Sequence, residues 1–264
     1  MKYADILAAL AAHARERVRA AEERVTRDEL RRIALAVPSS DFAFEKSLRA
    51  PGVSLICECK KASPSKGLIA PDFPYLEIAQ DYEDGGADAI SVLTEPKWFL
   101  GSDDYLQEIA SSSSLPVLRK DFTVDPYMIW EARALGASAV LLICALLSED
   151  EIREAIELCD ELGLSALVEA HDEAEVETAL KAGSRIVGVN NRNLRDFSVD
   201  AGNSRRLREL VPSDVLFISE SGVMGPEDAA ALAELGVDGI LVGEALMRAP
   251  DRVQMLRTMR KALT

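Results

Sequence analysis

Gly86-Ala-Asp-Ala-Ile90, Gly136-Ala-Ser-Ala-Val140, Gly183-Ser-Arg-Ile-Val187 and Gly236-Val-Asp-Gly-Ile240 are four versions of one junction. In each, a glycine ends a stretch of helical periodicity and a short apolar run begins. Glycine enters the left-handed region at little cost, so it can stop a helix and turn the chain into a strand. Outward from these junctions, apolar runs recur at Val53–Cys59, Ala89–Leu93, Val117–Arg119, Ala139–Ile143, Ala166–Val168, Ile186–Val189, Val215–Ile218 and Gly239–Val242. About eight runs at intervals of roughly 20–36 residues are the rhythm of an α/β fold of the (β/α)8 TIM-barrel type. Alternation alone also fits an open doubly wound sheet, and the count favours the barrel. The four glycines then mark its bottom face.

The first 48 residues do not share this rhythm. Ile6 to Leu35 read as a helix with a partly periodic stripe of Ile6, Leu7, Leu10, Val18, Val25 and Leu30, ended by Pro38. Asp41 to Leu48 suggest a second, short helix. We expect one barrel domain over residues 1–264, with residues 1–48 as a helical extension packed on it.

The chain has 264 residues, and a (β/α)8 unit of that size folds without staples. Forty-five acids against thirty bases give a formal charge of −15, which disfavours nucleic acid as a partner. A small anionic ligand is still compatible, because backbone N–H groups and a few lysines make a local positive site. No apolar run reaches the ~20 residues of a membrane span. With neither a signal peptide nor a lipidation motif at the N-terminus, a cytoplasmic protein is expected. Cys57, Cys59, Cys144 and Cys159 form no disulfide pattern, and His13 and His171 do not complete a zinc set.

Chemistry in a parallel barrel sits where strands end and βα loops begin. The ends of these runs carry Glu58 and Lys60, Thr94 and Glu95, Lys120, Glu169, Asn190, then Glu220 and Ser221. A single strand-end charge is most simply a solvated loop residue; several around one rim point to a site. Strand parity puts Glu58 and Lys60 on one face and Cys57 and Cys59 on the other. Lys120 could have its pKa lowered by a second cation or raised by a carboxylate. The loop Lys60-Lys-Ala-Ser-Pro-Ser-Lys-Gly67 is either an exposed basic loop or a lid that brings Lys60 and Ser63 over a phosphate. Gly222 and Gly243, after the last two strands, fit a phosphate cradle. His171-Asp172-Glu173 reads as a helix entry with Asp172 as N-cap, the alternative being a proton-transfer role for the histidine. Trp98, Phe99 and Phe122 either pack loops or wall an aromatic ligand.

Several blocks of this sequence resemble indole-3-glycerol phosphate synthases. They are Glu58-Cys-Lys-Lys-Ala-Ser-Pro-Ser-Lys-Gly67, Leu93-Thr-Glu-Pro-Lys-Trp-Phe-Leu-Gly-Ser102, Pro116-Val-Leu-Arg-Lys-Asp-Phe122, Asp125-Pro-Tyr127, Leu167-Val-Glu-Ala-His171, Gly188-Val-Asn-Asn-Arg-Asn-Leu194, Ser219-Glu-Ser-Gly222 and Val242-Gly-Glu-Ala-Leu-Met-Arg248. The resemblance implies ring closure, decarboxylation and dehydration of an anthranilate-bearing deoxyribulose phosphate in tryptophan biosynthesis. It implies Lys120 as the acid that protonates the ketone oxygen. Lys60 would pair with substrate anions and serve the later dehydration. Glu169 would stabilise the cationic anilino nitrogen or act as a base, and Glu58 would be a second acid/base carboxylate.

By the same resemblance, Asn190, Arg192, Glu220 and Ser221 hold the sugar hydroxyls and the substrate carboxylate. Ser63, Gly222, Gly243 and the N–H of Glu244 receive the phosphate, and Phe122 and Leu141 meet the aromatic ring. Some relatives carry a small hydroxyl residue where this chain has Glu244, whose side chain is free to point to solvent. No metal or organic cofactor is required. The motifs say nothing of association with other enzymes of tryptophan biosynthesis. From the residues alone, a sugar-phosphate isomerase, a Schiff-base aldolase and a non-catalytic sugar-phosphate sensor are the alternatives.

Overall fold

All four junction glycines take the left-handed conformation, with φ of 89° at Gly86, Gly136 and Gly183 and 75° at Gly236. The structure, a computed structural model, describes residues 4–193, 198–200 and 202–263; Leu194, the end of one quoted motif, lies outside them. Among the described residues run eight parallel strands: β1 (Ser54–Cys59), β2 (Ala89–Leu93), β3 (Val117–Lys120), β4 (Ala139–Ile143), β5 (Ser165–Ala170), β6 (Ile186–Asn190), β7 (Leu216–Glu220) and β8 (Gly239–Val242). Each pairs with its neighbour in sequence and β8 pairs back with β1, so the barrel is closed. The open sheet is excluded.

Twelve helices accompany them among the described residues: α1 (Ala4–Glu22), α2 (Arg27–Ala36), α3 (Ala43–Leu48), α4 (Tyr75–Gly85), α5 (Asp103–Ser112), α6 (Pro126–Ala134), α7 (Glu149–Leu162), α8 (Glu173–Lys181), α9 (Gly202–Arg208), α10 (Pro226–Glu234), α11 (Glu244–Arg248) and α12 (Arg252–Ala262).

The alternation of side chains along each strand divides the core into two layers. Ile56, Leu118, Leu141, Leu167, Ile218 and Leu241 fill the barrel, while Leu55, Cys57, Cys59, Val140, Val168 and Val187 pack under the helices. Cys57 and Cys59 therefore face outward, and burial pushes both thiols well up. They are packing groups. At the bottom, the junction aspartates accept early strand amides: Asp88 takes the Leu55 N–H and Asp238 the Phe217 N–H, each at 2.7 Å.

The single helix expected over Ile6–Leu35 is two. Thr26 caps α2, its hydroxyl accepting the Glu29 N–H at 3.3 Å. A threonine followed three residues later by glutamate is a helix start, and the apolar stripe running through it masked the break. α1 lies over the top rim, where Arg17 forks onto the Asp121 carboxylate at 2.7 and 2.8 Å. α2 packs along α6 on the outside. α3 closes the bottom: Phe44 and Leu48 join the barrel interior, and the Glu45 N–H bonds the Ser165 hydroxyl at 3.1 Å.

Candidate active site

Ile56 points into the barrel from β1, so Glu58 does too, one layer higher. The Tyr82 hydroxyl donates to the Glu58 carbonyl at 3.0 Å and fixes the strand end. Lys60, just past β1, is ion-paired with the Glu58 carboxylate. Across the barrel, Lys120 at the end of β3 puts Nζ 3.1 Å from Oε2 of Glu169 on β5 and 3.3 Å from Oε2 of Glu220 on β7. β5 extends to Ala170, past the expected Val168, so Glu169 is a strand residue rather than a loop residue. Three carboxylates thus face two lysines at the barrel mouth.

Their charges are set by burial and by each other. Burial pulls the Lys120 ammonium towards the neutral form, but Glu169, Glu220 and Glu58 outweigh it and hold its pKa above the ordinary lysine value. The carboxylates win the contest that sequence left undecided. For Glu169, burial favours the neutral acid, but Lys120 and His171 overcome it and hold the carboxyl below its usual range. Glu220 goes the other way: burial and the facing Glu169 push it up against the pull of Lys120. Two carboxylates sharing one ammonium titrate as a unit.

Glycines make the room. A Cβ on Gly188 would lie 2.2 Å from Oε1 of Glu220 and 3.1 Å from Cδ1 of Leu167. One on Gly243 would lie 2.3 Å from Oε2 of Glu58 and 3.0 Å from Nζ of Lys60. Ser221 and Gly222 are consecutive left-handed residues, φ 67° and 94°, after β7. Gly188 escaped the sequence reading as a site residue; its signal was a glycine inside a strand.

The fourteen residues that the resemblance assigns to the site all line one cavity of about 420 Å³: Glu58, Lys60, Ser63, Lys120, Phe122, Leu141, Glu169, Asn190, Arg192, Glu220, Ser221, Gly222, Gly243 and Glu244. The strand-end Thr94 and Glu95 do not, Thr94 bonding Asp121 and Glu95 meeting His13. The size suits a small molecule. Asn190 Oδ1 accepts the Arg192 N–H at 3.0 Å. Phe99 and Phe122 form an aromatic wall, their centroids 5.8 Å apart, whereas Trp98 packs on His13 instead. Sequence reasoning missed Leu7 and Leu10, which α1 brings to the cavity, and Lys66. The loop after β1 is more ordered than its sequence suggested, since Ala62–Ser63 pairs antiparallel with Gly67–Leu68. The Glu244 side chain is not turned to solvent. It is held 3.4 Å from Lys66 Nζ and 3.1 Å from Arg248 Nε, and tethers that loop to α11. Asp172 caps α8 as expected, accepting the Glu175 N–H at 3.0 Å.

The sequence pattern of the family described as indole-3-glycerol phosphate synthase matches residues 7–259. The chain belongs to the indole-3-glycerol phosphate synthase family. Its activity is that of the family, a carbon–carbon lyase that decarboxylates its substrate in tryptophan biosynthesis. It is 61% identical over 215 residues to the indole-3-glycerol phosphate synthase of Ruminiclostridium cellulolyticum, covering 81% of this chain and 83% of that one. To the synthase of Lactiplantibacillus plantarum it is 50% identical over 249 residues, 92% of this chain and 96% of that one. In fold it resembles 3-hexulose-6-phosphate synthase from Salmonella typhimurium, with a TM-score of 0.63 at 18% identity over 80% of this chain and 98% of the other. That last likeness speaks for the barrel alone.

Proposed function

We propose that Lys120 is the general acid of the family reaction, in which 1-(2-carboxyphenylamino)-1-deoxyribulose 5-phosphate becomes indole-3-glycerol phosphate. The aryl carbon attacks the sugar ketone, and the ketone oxygen takes a proton as the bond forms. Carbon dioxide then leaves, followed by water. The reading rests on one observation: a lysine with a raised pKa, gripped by two buried carboxylates, at the mouth of a cavity of about 420 Å³. Held as an ammonium, it carries the proton the first step needs.

Glu169 stabilises positive charge on the anilino nitrogen, and its position beside Lys120 supports that pairing. Lys60 and Glu58, the second acid/base pair, engage substrate anions and serve dehydration. Asn190, Arg192, Glu220 and Ser221 hold the sugar hydroxyls and the substrate carboxylate; Phe122 and Leu141 meet the ring. Ser63, Gly222, Gly243 and the Glu244 N–H receive the phosphate, where the left-handed backbone at Ser221 and Gly222 supports an anion-binding concavity. No metal or organic cofactor is needed for proton transfers of this kind. The chain acts as one domain over residues 1–264, with residues 1–48 as its extension. It works in the cytoplasm, and its charge of −15 weighs against nucleic acid as a partner.

Lys120→Met keeps an unbranched stem and removes the charge and the proton. Single-turnover rates should fall by roughly 10²–10⁴-fold, the usual contribution of a positioned acid. Lys61→Met is the control, because Lys61 does not line the cavity. Turnover of Lys120→Met within a few-fold of wild type would make Lys60 the leading acid.

A further inference from the structure

His171 lies two residues beyond Glu169, and no step above uses it. Its imidazole is bracketed by two carboxylates from different elements. Nδ1 is 2.9 Å from Oε2 of Glu175, in the first turn of α8, and Nε2 is 3.3 Å from Oε1 of Glu169. The His171 backbone is fixed as well, its N–H donating to Glu175 at 2.8 Å and its carbonyl accepting from Asn203 at 3.1 Å. Nε2 is buried without an aligned hydrogen bond, and a buried orphan of that kind asks for a reason. Glu169 divides its oxygens between the two neighbours, Oε2 to Lys120 and Oε1 to His171.

We propose that His171, as an imidazolium, is a positioning residue for the ring closure: it fixes Glu169 through Oε1 and stays as its counter-charge when Lys120 gives up a proton. The proposal rests on the roles assigned to Lys120 and Glu169 above. Before closure the Lys120 ammonium balances Glu169. As its proton passes to the ketone oxygen, Lys120 becomes a neutral amine. Glu169, which must meet the positive charge growing on the anilino nitrogen, then loses one of the two cations that fix it, a costly loss for a buried carboxylate. A second cation already in place removes that penalty without rearrangement.

The groups around the ring favour its charge. Burial opposes protonation, but Glu175, Glu169 and Glu220 outweigh it and hold the pKa of His171 above the ordinary histidine value. Asp172 sits beside it at the start of α8, Lys120 stands on the far side of Glu169, and the Cys144 thiol donates to the Glu175 carbonyl. On α9, Arg206 is engaged with Asn203 and Glu173.

The chain has two histidines, so imidazole NMR follows His171 directly, with His13→Asn assigning the signals. His171 should titrate above the ordinary value in wild type and at lower pH in Glu169→Gln. His171→Asn should lose about tenfold in kcat, the equivalent of one pK unit of charge interaction, with KM within about twofold. The alkaline limb of the wild-type kcat profile that follows His171 deprotonation should vanish in His171→Asn and move to lower pH in Glu175→Gln. A purely structural histidine would leave that limb in place.

An unchanged His171 titration in an inactive Glu169→Gln overturns the proposal alone, as does wild-type kcat in folded His171→Asn. Full activity of Glu169→Gln overturns the assignment of Glu169 and this proposal with it. Where His171→Asn does not fold, the NMR titrations decide.

Discussion

The two ends of the barrel are made from the same strands and covered by the same N-terminal extension, yet they handle polar groups in opposite ways. At the bottom, Asp88 and Asp238 satisfy strand amides, and the Arg260 guanidinium donates to the Val53 carbonyl. α3 closes that end with Phe44 and Leu48, both essentially without solvent exposure. At the top, three carboxylates crowd two lysines, and Glu220 Oε1, His171 Nε2 and Arg17 Nε are buried without hydrogen-bond partners. α1 covers that rim with polar contacts, Arg17 to Asp121 and His13 to Glu95, beside the apolar Leu7 and Leu10. The bottom is arranged for stability. The top keeps charge in a place where charge is expensive, as sites that perform chemistry do.

The comparison breaks first at Phe44. Phe44→Ala should cost about 3–5 kcal/mol of stability, the range for an aromatic deleted from a core. Denaturant unfolding checks it, while kcat per folded molecule at 25 °C should hold. A loss of kcat without a loss of stability would mean that the plug belongs functionally to the top.

Gly188→Ala should do the reverse. Its Cβ would push into Glu220 Oε1, 2.2 Å away, and Leu167 is close behind. Displacing a site carboxylate by about an ångström costs roughly 10²-fold in rate, and steady-state kinetics with circular dichroism would show it in a folded protein. Unchanged turnover would mean that Glu220 can move without consequence.

The bottom was the more legible end. Left-handed glycines and strand parity are local properties, so Gly86, Gly136, Gly183 and Gly236 announced their junctions and Cys57 and Cys59 their face. The site residues could be named because each stands at a strand end or in a motif block, save Leu141, which lies mid-strand in β4 and came from the family resemblance alone. Their pairing could not. Lys120 meets Glu169 and Glu220 only once three strands are arranged around a closed barrel, and Lys66 meets Glu244 only because β8 lies beside β1. The pKa of Lys120 and the break at Thr26 were hidden for related reasons. The first depends on charges distant in sequence, and the second on a cap inside a continuous apolar stripe.

Glu220→Gln tests the division of labour most directly, by thermal unfolding at pH 8 and pH 5 together with turnover. The folded-state pKa of Glu220 lies above its unfolded value, so folding loses stability as pH rises from the unfolded carboxylate range towards the folded value. Glutamine keeps the shape and removes that loss. The melting temperature should rise at pH 8 by roughly 2–4 °C, what about 1 kcal/mol is worth in a domain of this size. The gain should shrink at pH 5, and turnover should fall. A lower melting temperature at pH 8 with turnover intact would contradict the claim that the top of this barrel holds its charges for catalysis at the expense of stability.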